Sequence, residues 1–154
     1  MRGPQVMKGY WRRPEATAAA FRDGWFLTGD IGRVDEEGYF SISERKKDML
    51  KVSGYSVFPA EVEAIMYRHP SIAEVGAVGV PDPYRGEDPI AYVVLKPDAH
   101  GKMREEQIAE WCRAEMAVYK APRRIRFVES LPKTASGKVL KRVLREQARA
   151  DTGD

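Results

Sequence analysis

The sequence predicts an α+β fold: a small central β-sheet flanked by helices, preceded by a β-hairpin leader. Runs rich in β-branched residues and bounded by Pro and Gly recur at "IAEVGAVGVPD" and "PIAYVVLKP", with a shorter one at "RIRFVES"; such runs are strand signals. Around them stand "PAEVEAIMYRH", "REEQIAEWCRAEM" and "GKVLKRVLREQAR", whose apolar residues recur at helical spacing. Upstream, apolar runs at residues 25–27 and 39–42 flank turn formers at 35–38, the pattern of a hairpin.

Taken in chain order, "RPEATAAAF" reads as a short helix with Pro14 at its first position, where the missing N–H costs nothing, and with Phe21 on its buried side. The hairpin follows. "ERKKDMLKVSGYSVFP" is charged and then short-stranded, and its three consecutive cations place the boundary there, since a core segment does not carry them. In "PAEVEAIMYRH", Val62, Ile65 and Met66 share a helical face, with Pro59 or Ala60 opening the helix and Pro70 closing it. Ile108, Trp111, Cys112 and Met116 form the stripe of the next helix, whose acidic start suits the helix dipole. The last helix is expected from Gly137 onward, turning Val139, Leu140, Val143 and Leu144 inward and its basic residues outward. The segments divide into 1–45 and 46–150.

Composition narrows the class. A chain of 154 residues with 43% hydrophobic and 32% charged residues has the profile of a globular domain able to bury about 68–70% of its unfolded surface. It holds no apolar run of the roughly 20 residues that would span a bilayer and no apolar signal-peptide core, so the expected compartment is the cytoplasm. Cys112 is the only cysteine, which excludes an intrachain disulfide, and His69 and His100 are the only histidines, too few for a dedicated zinc site. The net charge of +3 is uneven: residues 120–149 carry ten Lys or Arg against Glu129 and Glu146, a local +8. Such a face is either solvated or suited to a polyanion.

Single motifs stay ambiguous. "LPKTASGK" fails as a Walker loop because Pro132 stands at the first glycine and Val139 follows the lysine. Lys138 is then either a solvated lysine or an ammonium that a mobile Thr-Ala-Ser-Gly lead delivers to negative charge developing elsewhere. In the first turn of a helix it would oppose the macrodipole. Asp30 in "TGD", read as ending a strand, either caps a turn or chelates ribose hydroxyls, as acids do for nucleotides on other folds. In "RKKDMLKVSGY", Arg45, Lys46, Lys47, Asp48 and Lys51 precede Gly54. A glycine there marks a bend or a close approach, and the cations beside it could pass a phosphorylated, chain-like ligand.

Order and spacing say more. "DGWFLTGDIG", "SERKKDMLKVSGYSVFPAEVE", "VPDPYRGE" and "LPKTASGKVLKR", in that order, resemble the carboxy-terminal end of adenylate-forming enzymes: acyl-CoA synthetases, peptide-synthetase adenylation domains and luciferases. The likeness begins at "GYWRRPEAT", covers nearly the whole chain, and is nearest to fatty acyl-CoA ligases. It implies that residues 1–45 end a large amino-terminal domain and 46–150 form the complete mobile domain. It also implies two steps: a carboxylate attacks the α-phosphate of Mg-ATP to give an acyl adenylate and pyrophosphate, and CoA thiol then displaces AMP after the small domain swings. By matching positions, Asp30 would hold the ribose hydroxyls with help from Arg45, and Lys47 would be the hinge. Lys138 would bridge carboxylate and phosphate during adenylation. Lys51 and Gly54 would serve the thioester step, Gly54 leaving room for the pantetheine arm. The glycine-rich phosphate loop, the magnesium ligands and the acyl pocket would lie in the absent large domain, so no metal ligand is expected here and the 154 residues alone should not turn over. Glu44 departs from the glycine that many relatives place before the arginine.

Two other functions compete. An adenylation domain would pass its acyl group to a carrier protein, but no carrier domain follows in this sequence. A basic nucleic-acid-binding module would use the +8 tail, yet that tail has one aromatic, Phe127, and no stacking platform, so nucleic acid is not the expected partner. The leader, without its parent domain, is expected to expose apolar surface and to self-associate.

Overall fold

The structure, a computed structural model, describes residues 1–152. The chain forms two compact units that divide between Lys47 and Asp48.

In the first unit, α1 (Pro14–Ala20) carries Pro at its start. Strand β1 (Phe21–Arg22) pairs antiparallel with β2 (Trp25–Phe26) across Asp23 and Gly24, both at positive φ. Strand β3 (Asp30–Val34) pairs antiparallel with β4 (Phe40–Arg45). The expected turn at 35–38 is present, with Asp35 Oδ1 accepting the N–H groups of Glu37 and Tyr39. The strand leading into it is β3, however, and not residues 25–27. Trp25 and Phe26 instead close a shorter pairing with their own neighbours, where the two-residue left-handed turn brings the partners together at once. Asp30 therefore begins a strand rather than ending one. Phe21 is the residue that ends α1, extended and half-buried. Glu44 is the one buried residue in this unit, while Phe40, Ile42, Tyr39 and Val34 are all exposed. The unit has no apolar core of its own.

The second unit is a three-layer arrangement. After a 3-10 turn at Lys46–Asp48 come β5 (Leu50–Val52), β6 (Tyr55–Val57), α2 (Pro59–Met66), β7 (Ile72–Asp82), β8 (Gly86–Leu95), α3 (Glu105–Glu115), β9 (Arg124–Phe127) and α4 (Lys141–Thr152). The long β7–β8 hairpin is the spine of a five-stranded sheet. On the other edge of β8 lie β5, joined through Val52 opposite Gly86, and β9, which runs parallel to residues 90–93. Strand alternation splits the core into two faces. Val75, Ala77, Ala91 and Val93 pack with Val62 and Met66 of α2 and with Ile108 and Cys112 of α3. Val78, Val80, Ile90 and Tyr92 pack with Leu131 and with Leu144 and Ala148 of α4. Gly76 lets α4 approach, because a Cβ there would lie 2.6 Å from Leu144 Cδ1.

The last helix starts later than its apolar spacing implied, at Lys141. Val139 and Leu140 are half-buried ahead of it, and Val139 bridges antiparallel to Lys133. Thr134 and Gly137 hold the preceding residues in a tight turn, which cannot also be helical.

Candidate functional site

The predicted site residues fall into three groups. In the first unit, the β3–β4 register sets Asp30 opposite Arg45. Arg45 Nε lies 2.8 Å from Asp30 Oδ1 as an ion pair, and Arg45 Nη1 donates to the Thr28 carbonyl at 3.4 Å. The Asp30 N–H is held by Thr28 Oγ1 at 3.1 Å. The ion pair uses Oδ1 and leaves Oδ2 outside it. Lys47 is exposed and is the last residue of this unit.

The second group stands at one end of the sheet. Val52 and Tyr55 are paired, and the two residues between them, Ser53 and Gly54, have φ of 50° and 85°. Two consecutive left-handed residues make the primed turn that matches strand twist. A Cβ on Gly54 would meet nothing within 4 Å, so the residue leaves open space above the backbone. Lys51 is exposed on β5, its Nζ donating to Ser56 Oγ at 2.8 Å. The β7–β8 turn lies beside this one: Ser53 N–H donates to the Arg85 carbonyl at 2.8 Å and Lys51 N–H to Glu87 Oε2 at 2.6 Å. Asp82 Oδ1 accepts the Tyr84 and Arg85 N–H groups, which hold its carboxyl below the ordinary value. Tyr84 is 95% exposed, and Tyr55 stacks on Tyr119 with ring centroids 4.4 Å apart. Asp88, with its carboxylate buried 3.8 Å from Arg85, is pushed above the ordinary value by burial, against the pull of Arg123 and Arg85.

The third group is Lys138, on the loop before α4. Thr134 pins that loop: its N–H donates to the Lys138 carbonyl at 2.8 Å, its Oγ1 accepts the Lys138 N–H at 3.1 Å, and its carbonyl accepts the Gly137 N–H at 2.9 Å. Gly137 takes φ of 81°, the left-handed region that favours glycine. Lys138 thus stands three residues ahead of α4, and the macrodipole penalty expected for a first-turn lysine does not arise. Its backbone is fixed and its side chain exposed, and it makes no ion pair with a described residue.

Lys138 and Gly54 sit toward opposite ends of the sheet. Lys133, bridged to Val139, pairs with Glu74 near the start of β7 at 2.7 Å, whereas the Gly54 turn abuts the loop after Asp82. At about 3.3 Å per residue, Glu74 and Asp82 lie about 26 Å apart along the strand.

Sequence reasoning missed the groups that hold these loops in place. Arg145 Nη2 donates to Asp48 Oδ1, and Lys141 Nζ lies 3.2 Å from Glu63 Oε1, which also accepts the Ala77 N–H at 2.7 Å. Asp48 as the lone acid in a run of cations was the one signal available. His69 stacks edge-on against Trp111 with centroids 5.0 Å apart, and its Nδ1 accepts the Ser71 N–H at 3.2 Å. Cys112 is buried, which pushes its thiol up to about 11 and makes it inert. Among the described residues, no three His, Cys, Asp or Glu converge to hold a metal ion, and no helix is long and apolar enough to cross a membrane.

Solved adenylate-forming enzymes share this fold. ATP-bound MatB from Rhodopseudomonas palustris superposes with a TM-score of 0.89 at 40% identity, over 96% of this chain and 29% of that one. A Mycobacterium tuberculosis fatty acyl CoA synthetase gives 0.69 at 46% identity, over 94% of this chain and 28% of that one. The family model described as the AMP-binding enzyme C-terminal domain matches residues 61–138, and the chain belongs to that family. Among curated proteins, a long-chain-fatty-acid–CoA ligase of Bacillus subtilis (strain 168) is 51% identical over 147 residues, which are 96% of this chain and 26% of the relative. One from Escherichia coli O157:H7 is 46% identical over 97% of this chain and 26% of its own length. The chain thus spans about a quarter of the length of the curated relatives it matches.

Proposed function

We propose that this chain is the C-terminal part of an ATP-dependent acyl-CoA ligase that joins a fatty acid to CoA, with AMP and pyrophosphate released. Residues 1–45 would complete a large amino-terminal domain, and 46–150 would be the domain that reorients. The lack of an apolar core in the first unit and the division after Lys47 support that partition.

The placement of Lys138 and Gly54 toward opposite ends of one rigid sheet carries this proposal. Two groups placed so far apart favour a reading in which the domain presents them in turn. In adenylation, the Lys138 ammonium would meet charge building on the α-phosphate and substrate carboxylate, while Asp30 Oδ2 accepts from the ribose diol and Arg45 keeps the carboxylate aimed. Rotation at Lys47 would then withdraw Lys138 and bring in the Lys51–Gly54 face, whose bare turn leaves a path for pantetheine. ATP, CoA and the acid are substrates here; magnesium ligands would come from the remainder of the protein.

In the full-length ligase, Lys138→Ala should abolish acid-dependent pyrophosphate exchange yet spare conversion of supplied acyl adenylate to acyl-CoA. Equal loss of both half-reactions would refute the role given to Lys138. The 154 residues alone should show no exchange.

A further inference from the structure

We propose that Arg145 is a positioning residue: its ion pair with Asp48 fastens the exit of the hinge to α4, so that rotation at Lys47 reaches the Lys138 loop undiminished. The functional half of this rests on the reading of Lys47 as hinge. Asp48 is the first residue of the second unit and is only 9% exposed, with Arg145 Nη2 on its Oδ1. Backbone pairing holds this entry weakly, because β5 is three residues long and its ladder pair with β8 is Val52 opposite Gly86, while the neighbouring Lys51 N–H to Glu87 Oε2 and Ser53 N–H to Arg85 carbonyl bonds also lie past Asp48. Leu50 and Val52 are buried farther along the strand, but the residues between Lys47 and Leu50 have no ladder bond to β8. The Asp48–Arg145 pair ties that point to α4.

The other end of the lever is α4 itself. Lys141, at its first turn, pairs with Glu63 at 3.2 Å, and both side chains are more than four-fifths buried. Glu63 in turn holds β7 through the Ala77 N–H. Leu144 and Ala148 seat the helix on the sheet. Upstream, the Leu140 N–H donates to the Pro132 carbonyl at 2.8 Å and closes the Lys138 loop onto the start of α4. One helix therefore carries the hinge tie and the root of the catalytic loop. Without the tie, residues 46–50 can yield, and part of any rotation at Lys47 is lost before it reaches Lys138.

The test has two arms. On the 154-residue chain, hydrogen exchange of Arg145→Ala should speed the amides of residues 48–52 while β7 and β8 keep their protection. Unchanged exchange at 48–52 overturns the tie. In the full-length ligase, Arg145→Ala and Asp48→Asn should each lower kcat for acyl-CoA formation about ten- to a hundredfold, the scale set by a misplacement of about 1 Å. KM for ATP and acid should hold, and Arg145→Lys should recover most of the rate. An unchanged kcat, or a loss expressed in KM, overturns the positioning role. A wild-type full-length protein that makes no acyl-CoA would instead strike the proposed function, leaving the exchange arm to decide the tie.

Discussion

Gly76→Ala and Leu144→Ala should each destabilise the second unit, and together they should cost less than their sum. A Cβ at Gly76 would lie 2.6 Å from Leu144 Cδ1, with Val139 Cγ1 at 3.4 Å and Leu131 Cδ1 at 3.7 Å. Optimal carbon contacts are about 3.5–4.0 Å, so the overlap is about 1 Å. Leu144 is 1% exposed and cannot simply swing away. Overpacking of this kind costs about 1–3 kcal/mol, less up to about 1 kcal/mol that alanine regains over glycine in a strand. Leu144→Ala alone empties space that faces a bare glycine, and a cost of about 3 kcal/mol falls within the usual Leu→Ala range. In the double variant the new methyl enters that space, giving a favourable coupling of about 1–2 kcal/mol. Urea denaturation of the four proteins, followed by circular dichroism, measures the cycle. Additivity within about 0.5 kcal/mol would refute the claim that α4 closes on the sheet through this contact.

Burial, with Lys96 adding to it, lowers the pKa of His69 from 6.5. The unfolded chain then takes up the proton first, so stability is complete above 6.5 and falls as pH drops through 6.5 toward the folded value. Between about pH 7.5 and about pH 5 the urea midpoint should fall less for His69→Asn than for wild type, and equal slopes would remove His69 as the cause. Gly54→Ala meets no atom but must take φ of 85°; thermal unfolding should show a loss of about 1 kcal/mol from left-handed strain. Under the proposed function, the same change in the full-length protein should slow thioester formation and leave pyrophosphate exchange intact. Phe40 and Ile42, 86% and 72% exposed, should drive self-association of the 154-residue chain. Light scattering should show mass rising with concentration, and Phe40→Ser with Ile42→Ser should abolish the rise.

Local chemistry was enough for most elements of the second unit and for the expectation of a small sheet flanked by helices. The β-branched runs of β7 and β8, the stripe of α3 and Pro59 at the start of α2 are patterns in which each residue's neighbours along the chain already decide its state, and all four formed as expected. The order of four short motifs likewise pointed to the family and to Asp30, Arg45, Lys47, Lys51, Gly54 and Lys138 as candidates. Failures came where pairing or loop closure outweighed pattern. Trp25 and Phe26 turned back on Phe21 and Arg22, and the hydroxyl of Thr134 together with left-handed Gly137 kept Lys138 out of the helix its apolar spacing suggested. Tertiary structure alone decided that β9 joins β8 in parallel, that Lys138 and Gly54 occupy opposite ends of the sheet, and that Arg145 meets Asp48. These are contacts between residues far apart in the chain; no spacing rule reaches that far, because only the folded sheet and the helices laid across it bring such partners within bonding distance.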